Sequence, residues 1–187
     1  MFKQNENDLS GMKVLIVDDT PANIDLLGHI LKNQGLSISV ALRAKLAQEI
    51  IEKDKPDLIL LDILMPEMDG YQFCEILKSN DQTKDIPVIF LTALSDSENV
   101  VKGFQVGAID YITKPFKEEE VICRANSQLK LKKTQNELAK KQKELAQSEK
   151  LHRSIVEKVP ELIFQLDPDR NIIFANHAFS RLGFEPD

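Results

Sequence analysis

The sequence has little that would tie it to a membrane, to nucleic acid or to an oxidising compartment. Only two of its 187 residues are cysteine, Cys74 and Cys123, and they fall in different predicted helices, which does not indicate a disulfide framework. No apolar run approaches the ~20 residues that span a bilayer, and the first residues lack the apolar segment of a secretion signal. The net charge of -6 argues against general binding to nucleic acid. Together these absences predict a cytoplasmic protein with no membrane or nucleic-acid partner.

Three short apolar runs predict the buried strands of a parallel sheet. Each has four apolar residues bounded by polar or turn residues, and the runs lie at 14–17, 58–61 and 88–91. Continuous rather than alternating apolarity is typical of strands that helices cover on both faces. Two weaker strand candidates are Ser37–Leu42 and Ala108–Ile112.

Amphipathic stretches between these runs predict helices, and a further helix is expected to begin near Glu118. The apolar positions with helical spacing are Ile24, Leu27, Ile30 and Leu31; Leu46, Ala47, Ile50 and Ile51; Tyr71, Cys74 and Leu77; and Val100, Val101 and Phe104. Thr20 is predicted to cap the first helix ahead of Pro21, and Gly70 to permit the turn into the third. Five alternations of strand and helix predict an α/β fold with a parallel sheet and helices on both of its faces.

The composition changes at about residue 129. Residues 129–158 contain neither Gly nor Pro and are rich in strong helix formers. Leucines recur every seven residues at Leu131, Leu138 and Leu145, whereas the seam positions between them are the polar residues Thr134, Lys141 and Ser148. Two interpretations stay open, namely a coiled coil between two subunits and a single solvated helix with ion pairs four residues apart.

The last segment predicts less than a complete domain. Residues 162–166 and 171–174 have the pattern of two strands joined by a turn at 167–170, and a short helix is expected around 177–182. Two strands and a helix do not form a stable domain alone. We therefore expect a fragment of a longer protein, divided into a tail (1–11), a main domain (12–128), a helical linker (129–158) and the start of another domain (159–187).

Acidic residues follow two of the predicted strands. Asp18 and Asp19 come directly after the first run, and Asp62 follows the third strand. If the strand order is 2-1-3-4-5, these strands are neighbours, and their carboxyl ends bring the three carboxylates together. Clustered carboxylates repel one another unless a cation lies between them, and oxygen ligands with room for water suit Mg²⁺. One carboxylate can then act as a nucleophile and become an aspartyl phosphate.

The last two strands add a hydroxyl and an amine at the same edge. Thr92 directly follows the run at 88–91, which is the fourth predicted strand, and Lys114 follows the fifth candidate strand. Pro115 favours an extended conformation at Lys114, which would aim the amine along the strand direction. The metal ion and this amine would neutralise charge on the oxygens of a transferring phosphoryl group.

These motifs together resemble the receiver domain of two-component response regulators. They are V-D-D at 17–19, D-x-x-M-P-x-x-D-G at 62–70, T-A at 92–93 and K-P-F at 114–116. The resemblance spans roughly residues 12–130 and implies a flavodoxin-like sheet of order 2-1-3-4-5 with a Mg²⁺ cofactor. It implies Asp62 as phosphoacceptor, Asp19 and Asp62 as direct Mg²⁺ ligands, Asp18 as a ligand acting largely through water, and the backbone carbonyl of Leu64 as a further ligand.

The resemblance also implies how the switch would work. Lys114 would pair with the phosphoryl group, Thr92 would move to bond it, and Tyr111 would change rotamer with Thr92. The peptide bond between Lys114 and Pro115 is expected to be cis. A histidine kinase or a phosphotransfer protein would supply the phosphoryl group, and the change would pass through the long helix to downstream domains.

The tail resembles the start of a PAS sensor domain, on the motif Asn176-x-Ala178-Phe179. The expected parent protein is a hybrid sensor histidine kinase, with a diguanylate cyclase or another effector as the alternative. A homodimer through the linker helix is a further possibility.

Three other classes of function are weighed against the receiver. A phosphatase of the haloacid dehalogenase type needs an acidic residue two positions after its nucleophile, where this chain has Leu64. A flavodoxin-like nucleotide binder would have a Gly-rich phosphate loop where this chain has Asp18-Asp19. A receiver that no longer accepts phosphate is disfavoured because every motif position is filled.

Overall fold

A computed structural model describes residues 9–93 and 97–178 of the chain. The strands are β1 (Lys13–Val17), β2 (Ser37–Ala41), β3 (Leu58–Asp62), β4 (Val88–Thr92), β5 (Asp110–Thr113), β6 (Phe164–Leu166) and β7 (Ile172–Ala175). The helices are α1 (Pro21–Lys32), α2 (Ala44–Lys53), α3 (Gly70–Ser79), α4 (Ser97–Gln105) and α5 (Glu118–Lys158). None of the described helices is both long and apolar enough to cross a membrane.

The first five strands form one parallel sheet in the order β2-β1-β3-β4-β5, so the predicted fold class and strand order are confirmed. Strands β3 and β4 are buried along their whole length, and β1 is buried after Lys13. In the register of the sheet, Val17 lies beside Leu61, and Asp62 lies beside Leu91. The carboxyl ends of these three strands therefore finish side by side at one edge.

Alternate residues of the central strands pack into two apolar layers, one on each face of the sheet. On one face, the layer contains Leu15, Val17, Ile59 and Leu61 with Ala47 and Ile51 of α2 and Phe73, Cys74 and Leu77 of α3. On the other face, it contains Val14, Ile16, Leu58 and Leu60 with Ile24, Leu27 and Leu31 of α1 and Val121, Ala125 and Leu129 of α5. This double coverage explains why the strands are continuously apolar.

The predicted start of the fifth strand was wrong. Strand β5 begins at Asp110 and not at Ala108, because Gly107 has a left-handed φ of 95° and Ala108 donates a backbone hydrogen bond to Gly103, which ends α4. The apolarity of Ala108 reflects burial in that turn. Val101 and Phe104, two of the apolar positions with helical spacing in α4, have side chains that are 54% and 48% exposed.

The start of α1 also differs from its prediction. Thr20 is at the N-cap position ahead of Pro21, as expected, but its hydroxyl donates to the Asp19 carboxylate at 3.2 Å instead of capping the helix. Its backbone N–H donates to the Asp18 carboxylate at 2.9 Å. The residues that open α1 are therefore tied to the acidic residues that precede them.

The chain divides into two compact units between Thr134 and Gln135. In the second unit, β6 and β7 form an antiparallel hairpin, in agreement with the predicted strand–turn–strand pattern. The side-chain amide of Asn176 donates to the backbone carbonyls of Val156 and Val159, each at 3.1 Å, so it satisfies carbonyl groups at the end of α5. Phe179 and most of the helix predicted around 177–182 lie outside the described residues.

Gly70 has a different physical role from the predicted one. Its φ is not in the left-handed region, so the turn does not demand glycine for that reason. A Cβ atom at this position would lie 2.3 Å from the backbone oxygen of Asp62 and 2.9 Å from the Cα of Ile63. The Gly70 N–H donates to the Ile63 carbonyl at 2.9 Å. Glycine is therefore needed because α3 begins in contact with the end of β3.

We expect Gly70→Ala to lower the free energy of unfolding by about 2 kcal/mol or more, because the methyl group meets backbone that cannot move without displacing Asp62. Gly28→Ala in α1 is the matched control, since its methyl group would have no atom within 4 Å. The control should raise stability by roughly 0.5–1 kcal/mol. Urea unfolding of both variants checks the pair, and equal effects would contradict the close-approach explanation.

Candidate functional site

Three carboxylates converge at the carboxyl edge of the sheet. Asp18 and Asp19 follow β1, Asp62 ends β3, and one carboxylate oxygen of each lies within 4.8 Å of the others. Asp18 and Asp62 are buried, whereas Asp19 is exposed. The structure thus brings together the three acidic residues that the sequence predicted as metal ligands.

Lys114 joins this cluster from the end of β5. Its ammonium nitrogen lies 2.9 Å from Asp18 Oδ2 and 3.0 Å from Asp62 Oδ1. Its backbone N–H donates to the Thr92 carbonyl at 2.7 Å, and the bond to Pro115 is cis. Burial by itself would lower the pKa of Lys114, but hydrogen bonds to both carboxylates and their charge outweigh burial and raise the pKa above its ordinary value. The amine is therefore a permanent cation at neutral pH.

The position of Asp62 in the fold is electrostatically unfavourable for its ionised carboxylate. Burial is the largest influence and raises the pKa of its carboxyl group, and the charge of Asp18 raises it further. Lys114 and a hydrogen bond from the backbone of Leu64 oppose this change without cancelling it. Ionised Asp62 is consequently less stable in the folded protein than in water.

The donor atoms of this cluster fit Mg²⁺. They are carboxylate oxygens, which hard cations prefer, and within the described residues Lys114 pairs with two of the three clustered carboxylates, Asp18 and Asp62. The cluster therefore carries an excess of negative charge, which a divalent cation would neutralise. The Leu64 side chain is 63% exposed, and the backbone N–H of Leu64 donates a hydrogen bond to the Asp62 carboxylate.

The two predicted switch residues lie on neighbouring strands. Thr92 is the buried last residue of β4, which pairs with the strand that carries Asp62. Tyr111 is half-buried on β5, and its ring packs edge-on against Phe104 of α4 at 6.5 Å between centroids. The guanidinium carbon of Arg124 in α5 lies 5.4 Å from the centre of the same ring. Tyr111 thus contacts the two helices that flank its strand.

Comparison with known proteins assigns this arrangement to a family. Residues 14–126 match the response regulator receiver domain, which is more than half of the chain. The chain belongs to the response regulator receiver family. Receiver domains are phosphoacceptor switches of phosphorylation-based signalling; they bind Mg²⁺ at an acidic pocket and interact with histidine kinases or phosphotransfer proteins.

Relatives of this receiver have different additional parts. It is 39% identical over 118 residues to the DNA-binding dual master transcriptional regulator RpaA of Synechocystis sp., covering 63% of this chain and 49% of RpaA. It is 41% identical over 136 residues to a probable cyclic di-GMP phosphodiesterase of Vibrio cholerae, covering 73% of this chain and 31% of that protein. The chain thus spans half or less of the length of these relatives.

A solved structure supports the same assignment. The signal receiver domain of a signal transduction histidine kinase from Syntrophus aciditrophicus is 39% identical, with a TM-score of 0.60. The match covers 64% of this chain and 91% of that domain.

Sequence reasoning missed two polar residues at the receiver's site. The amide nitrogen of Asn23 lies 3.0 Å from both carboxylate oxygens of Asp18. Its only signal in the sequence is its place in the first turn of α1, five residues after that aspartate. Arg124 binds the carboxylates of Asp110 and Glu120 beside Tyr111. Both contacts depend on how the helices pack against strand ends.

We expect Asp62→Asn to stabilise the metal-free receiver by about 1–2 kcal/mol at pH 7, because it removes a buried carboxylate that Asp18 repels. Since the folded pKa of Asp62 is raised above the ordinary 3.8, its destabilising effect is complete above that raised pKa. The advantage of the variant should therefore shrink as the pH falls toward 3.8. Urea unfolding in chelator from pH 7 to pH 4 checks this.

Asp81→Asn is the matched control, because that side chain is 90% exposed. It should change stability by no more than about 0.5 kcal/mol at any of these pH values. A metal-free Asp62→Asn protein less stable than the wild type at pH 7 would show that the cluster is not electrostatically strained.

Proposed function

We propose that this receiver takes up a phosphoryl group on Asp62, in a Mg²⁺-dependent reaction with a histidine kinase or a phosphotransfer protein as donor. The observation that carries the proposal is that the buried carboxylate of Asp62 lies 3.0 Å from a lysine ammonium group and within 4.8 Å of two further carboxylates. A nucleophile, a fixed cation and an oxygen-rich ion site then share one strand edge, which is what phosphoryl transfer to a carboxylate requires.

Each residue of the site has a proposed part in this reaction. Asp19, Asp62 and the Leu64 carbonyl would hold Mg²⁺ directly, and Asp18 would act largely through water. The bound ion would neutralise charge on the phosphoryl oxygens. Lys114 already contacts the nucleophile and is placed to follow a phosphoryl oxygen on it. Asp62 supplies the oxygen that forms the new bond to phosphorus, while the bond from phosphorus to the donor's imidazole nitrogen breaks and its electron pair stays on that nitrogen.

The proposed switch couples the site to the α4 and α5 helices. A phosphorylated Asp62 would draw in the hydroxyl of Thr92, and Tyr111 would change rotamer with it. Because the Tyr111 ring packs against Phe104 and Arg124, its movement would disturb contacts of both helices. Helix α5 is continuous for 41 residues and would pass the change onward. The support for this route is spatial continuity.

For the parent protein, we propose a hybrid sensor histidine kinase, with a diguanylate cyclase or another effector as the alternative. The likeness to a receiver from a histidine kinase supports the former, and the likeness to a probable cyclic di-GMP phosphodiesterase supports another effector. The β6–β7 hairpin supports a PAS-like domain beginning near residue 159. The boundaries 1–11, 12–128, 129–158 and 159–187 and the cytoplasmic location remain predictions.

Turnover of a free phosphate ester is not part of the proposal. A phosphatase of the haloacid dehalogenase type would place an acid two residues after the nucleophile. The side chain at that position is Leu64, which is apolar and largely exposed. The chain thus lacks, at this position, the group that would protonate the leaving group in such an enzyme.

We expect incubation with acetyl phosphate and Mg²⁺ to add one phosphoryl group to the wild-type chain, as measured by intact-protein mass spectrometry. Asp62→Asn should remain unlabelled because the nucleophilic oxygen is gone. Asp81→Asn, which removes an exposed carboxylate outside the site, should be labelled like the wild type. Equal labelling of Asp62→Asn would refute the assigned phosphoacceptor.

We further propose that α5 pairs with the same helix of a second chain. Leu131, Leu138 and Leu145 are spaced seven residues apart, and their side chains are 54–61% exposed. Exposed leucines at this spacing are typical of a coiled-coil seam. The polar residues Thr134, Lys141 and Ser148 within the seam would make the pairing weak.

Light scattering should therefore give a concentration-dependent dimer for the wild-type chain. Leu138→Glu should shift the chain toward monomer by at least about tenfold in dissociation constant, because it places two like charges in the seam. Asn136→Glu adds the same charge two residues away, outside the seam, and should leave the dimer in place. A wild-type chain that is monomeric at every concentration would end this proposal.

A further inference from the structure

The carboxylate of Asp18 is saturated with hydrogen bonds from its own protein. Its Oδ1 atom accepts the Thr20 backbone N–H at 2.9 Å and the Asn23 amide at 3.0 Å. Its Oδ2 atom accepts the same Asn23 amide at 3.0 Å and the Lys114 ammonium at 2.9 Å. A carboxylate offers about four lone-pair positions, two on each oxygen, so every position has a partner.

The Asp18 carboxylate is also buried, which strengthens its dependence on these hydrogen bonds. The side chain of Asp18 is 0% exposed, so solvent does not reach it while these partners are in place. To bind an ion directly, Asp18 would have to give up one of these hydrogen bonds. The Lys114 contact is shared with Asp62, so the amine can move and leave its position on Oδ2 to a metal-bound water, whereas the Asn23 contact is fixed by the first turn of α1.

The Asn23 amide is the partner that blocks both oxygens at once. The backbone N–H of Asn23 donates to the Thr20 carbonyl at 3.0 Å, which holds the residue in the opening turn of the helix. The side chain is half-buried and reaches back over Asp18. With the amide present, Asp18 cannot swing round to offer two oxygens to one cation.

The number of direct carboxylate ligands separates Mg²⁺ from Ca²⁺. Mg²⁺ keeps several of its waters and is bound through one or two carboxylates, in a near-ideal octahedron. Ca²⁺ takes six to eight oxygen ligands and accepts bidentate carboxylates readily. A site in which Asp18 is prevented from binding directly has Asp19 and Asp62 as its direct carboxylates, which suits Mg²⁺.

We propose that Asn23 determines the ion specificity of this receiver, because it holds Asp18 away from direct coordination and thereby favours Mg²⁺ over Ca²⁺. Asn23 acts here as a positioning residue, through Asp18. The proposal rests on the proposed Mg²⁺ site at Asp19 and Asp62. Loss of the amide frees a lone pair on each oxygen of Asp18, and Ca²⁺ gains more from an added direct ligand than Mg²⁺ does.

The test is the ratio of the dissociation constants for Ca²⁺ and Mg²⁺, each taken from backbone amide chemical-shift titrations of the intact chain without a phosphoryl donor. In Asn23→Ala the ratio should move toward Ca²⁺ by about tenfold, the lower end of what outer-sphere partners of metal ligands contribute. Asn33→Ala is the matched control: Asn33 is at the other end of α1 and its amide contacts His29. Its ratio should equal that of the wild type.

The outcomes separate this inference from the function on which it rests. A wild-type chain that binds neither ion removes the proposed metal site itself. A wild-type chain that binds Mg²⁺, with an unchanged ratio in Asn23→Ala, overturns the role of Asn23 alone. Equal weakening of both ions also overturns it, since that result reports only a structural role. If Asn23→Ala does not fold, Asn23→Ser, whose short hydroxyl cannot reach both oxygens, is judged by the same ratio.

Discussion

The electrostatic balance between the Lys114 ammonium group and the carboxylates around it is the interaction on which the rest of this site depends. Lys114 bridges Asp18 and Asp62 at about 3 Å, and Asp19 adds a third carboxylate nearby. One cation does not balance this set, and burial makes the excess charge expensive at Asp62. The Lys114 ion pairs thus stabilise the site, and its remaining negative charge would attract a divalent ion.

The fold maintains this balance through the ends of parallel strands. The order β2-β1-β3-β4-β5 places β1 beside β3. The apolar layers on both faces of the sheet fix these two strands against each other, so their carboxyl ends lie side by side. Because residue 70 is glycine, α3 can begin in close contact with the backbone of Asp62, the proposed nucleophile. On the other side, β5 delivers Lys114, and Tyr111 on the same strand contacts Phe104 and Arg124. A change at the carboxylates therefore has structural neighbours in α4 and α5.

Much of this fold could be predicted from the sequence, because strands buried on both faces leave continuous apolar runs and the motif residues stand at their ends. The convergence of Asp18, Asp19 and Asp62 followed from strand order. The hydrogen-bond partners of individual side chains could not be predicted. Thr20 bonds Asp19 and not its helix, and Asn23 reaches back to Asp18, because the packing of α1 decides which acceptor is close. Ala108 is buried in the turn before β5, and the sequence pattern cannot distinguish a buried turn residue from the first residue of a strand.

We propose that Asp19 and Asp62 share one divalent ion beside Lys114. A crystal structure of the chain grown with Mn²⁺, phased by the anomalous signal of that ion, tests it directly. We expect a single anomalous peak at the carboxyl edge of β1 and β3, within about 2.0–2.4 Å of an oxygen of each of these two carboxylates. An anomalous map without a peak there, or with the carboxylates turned away from one another, would contradict it.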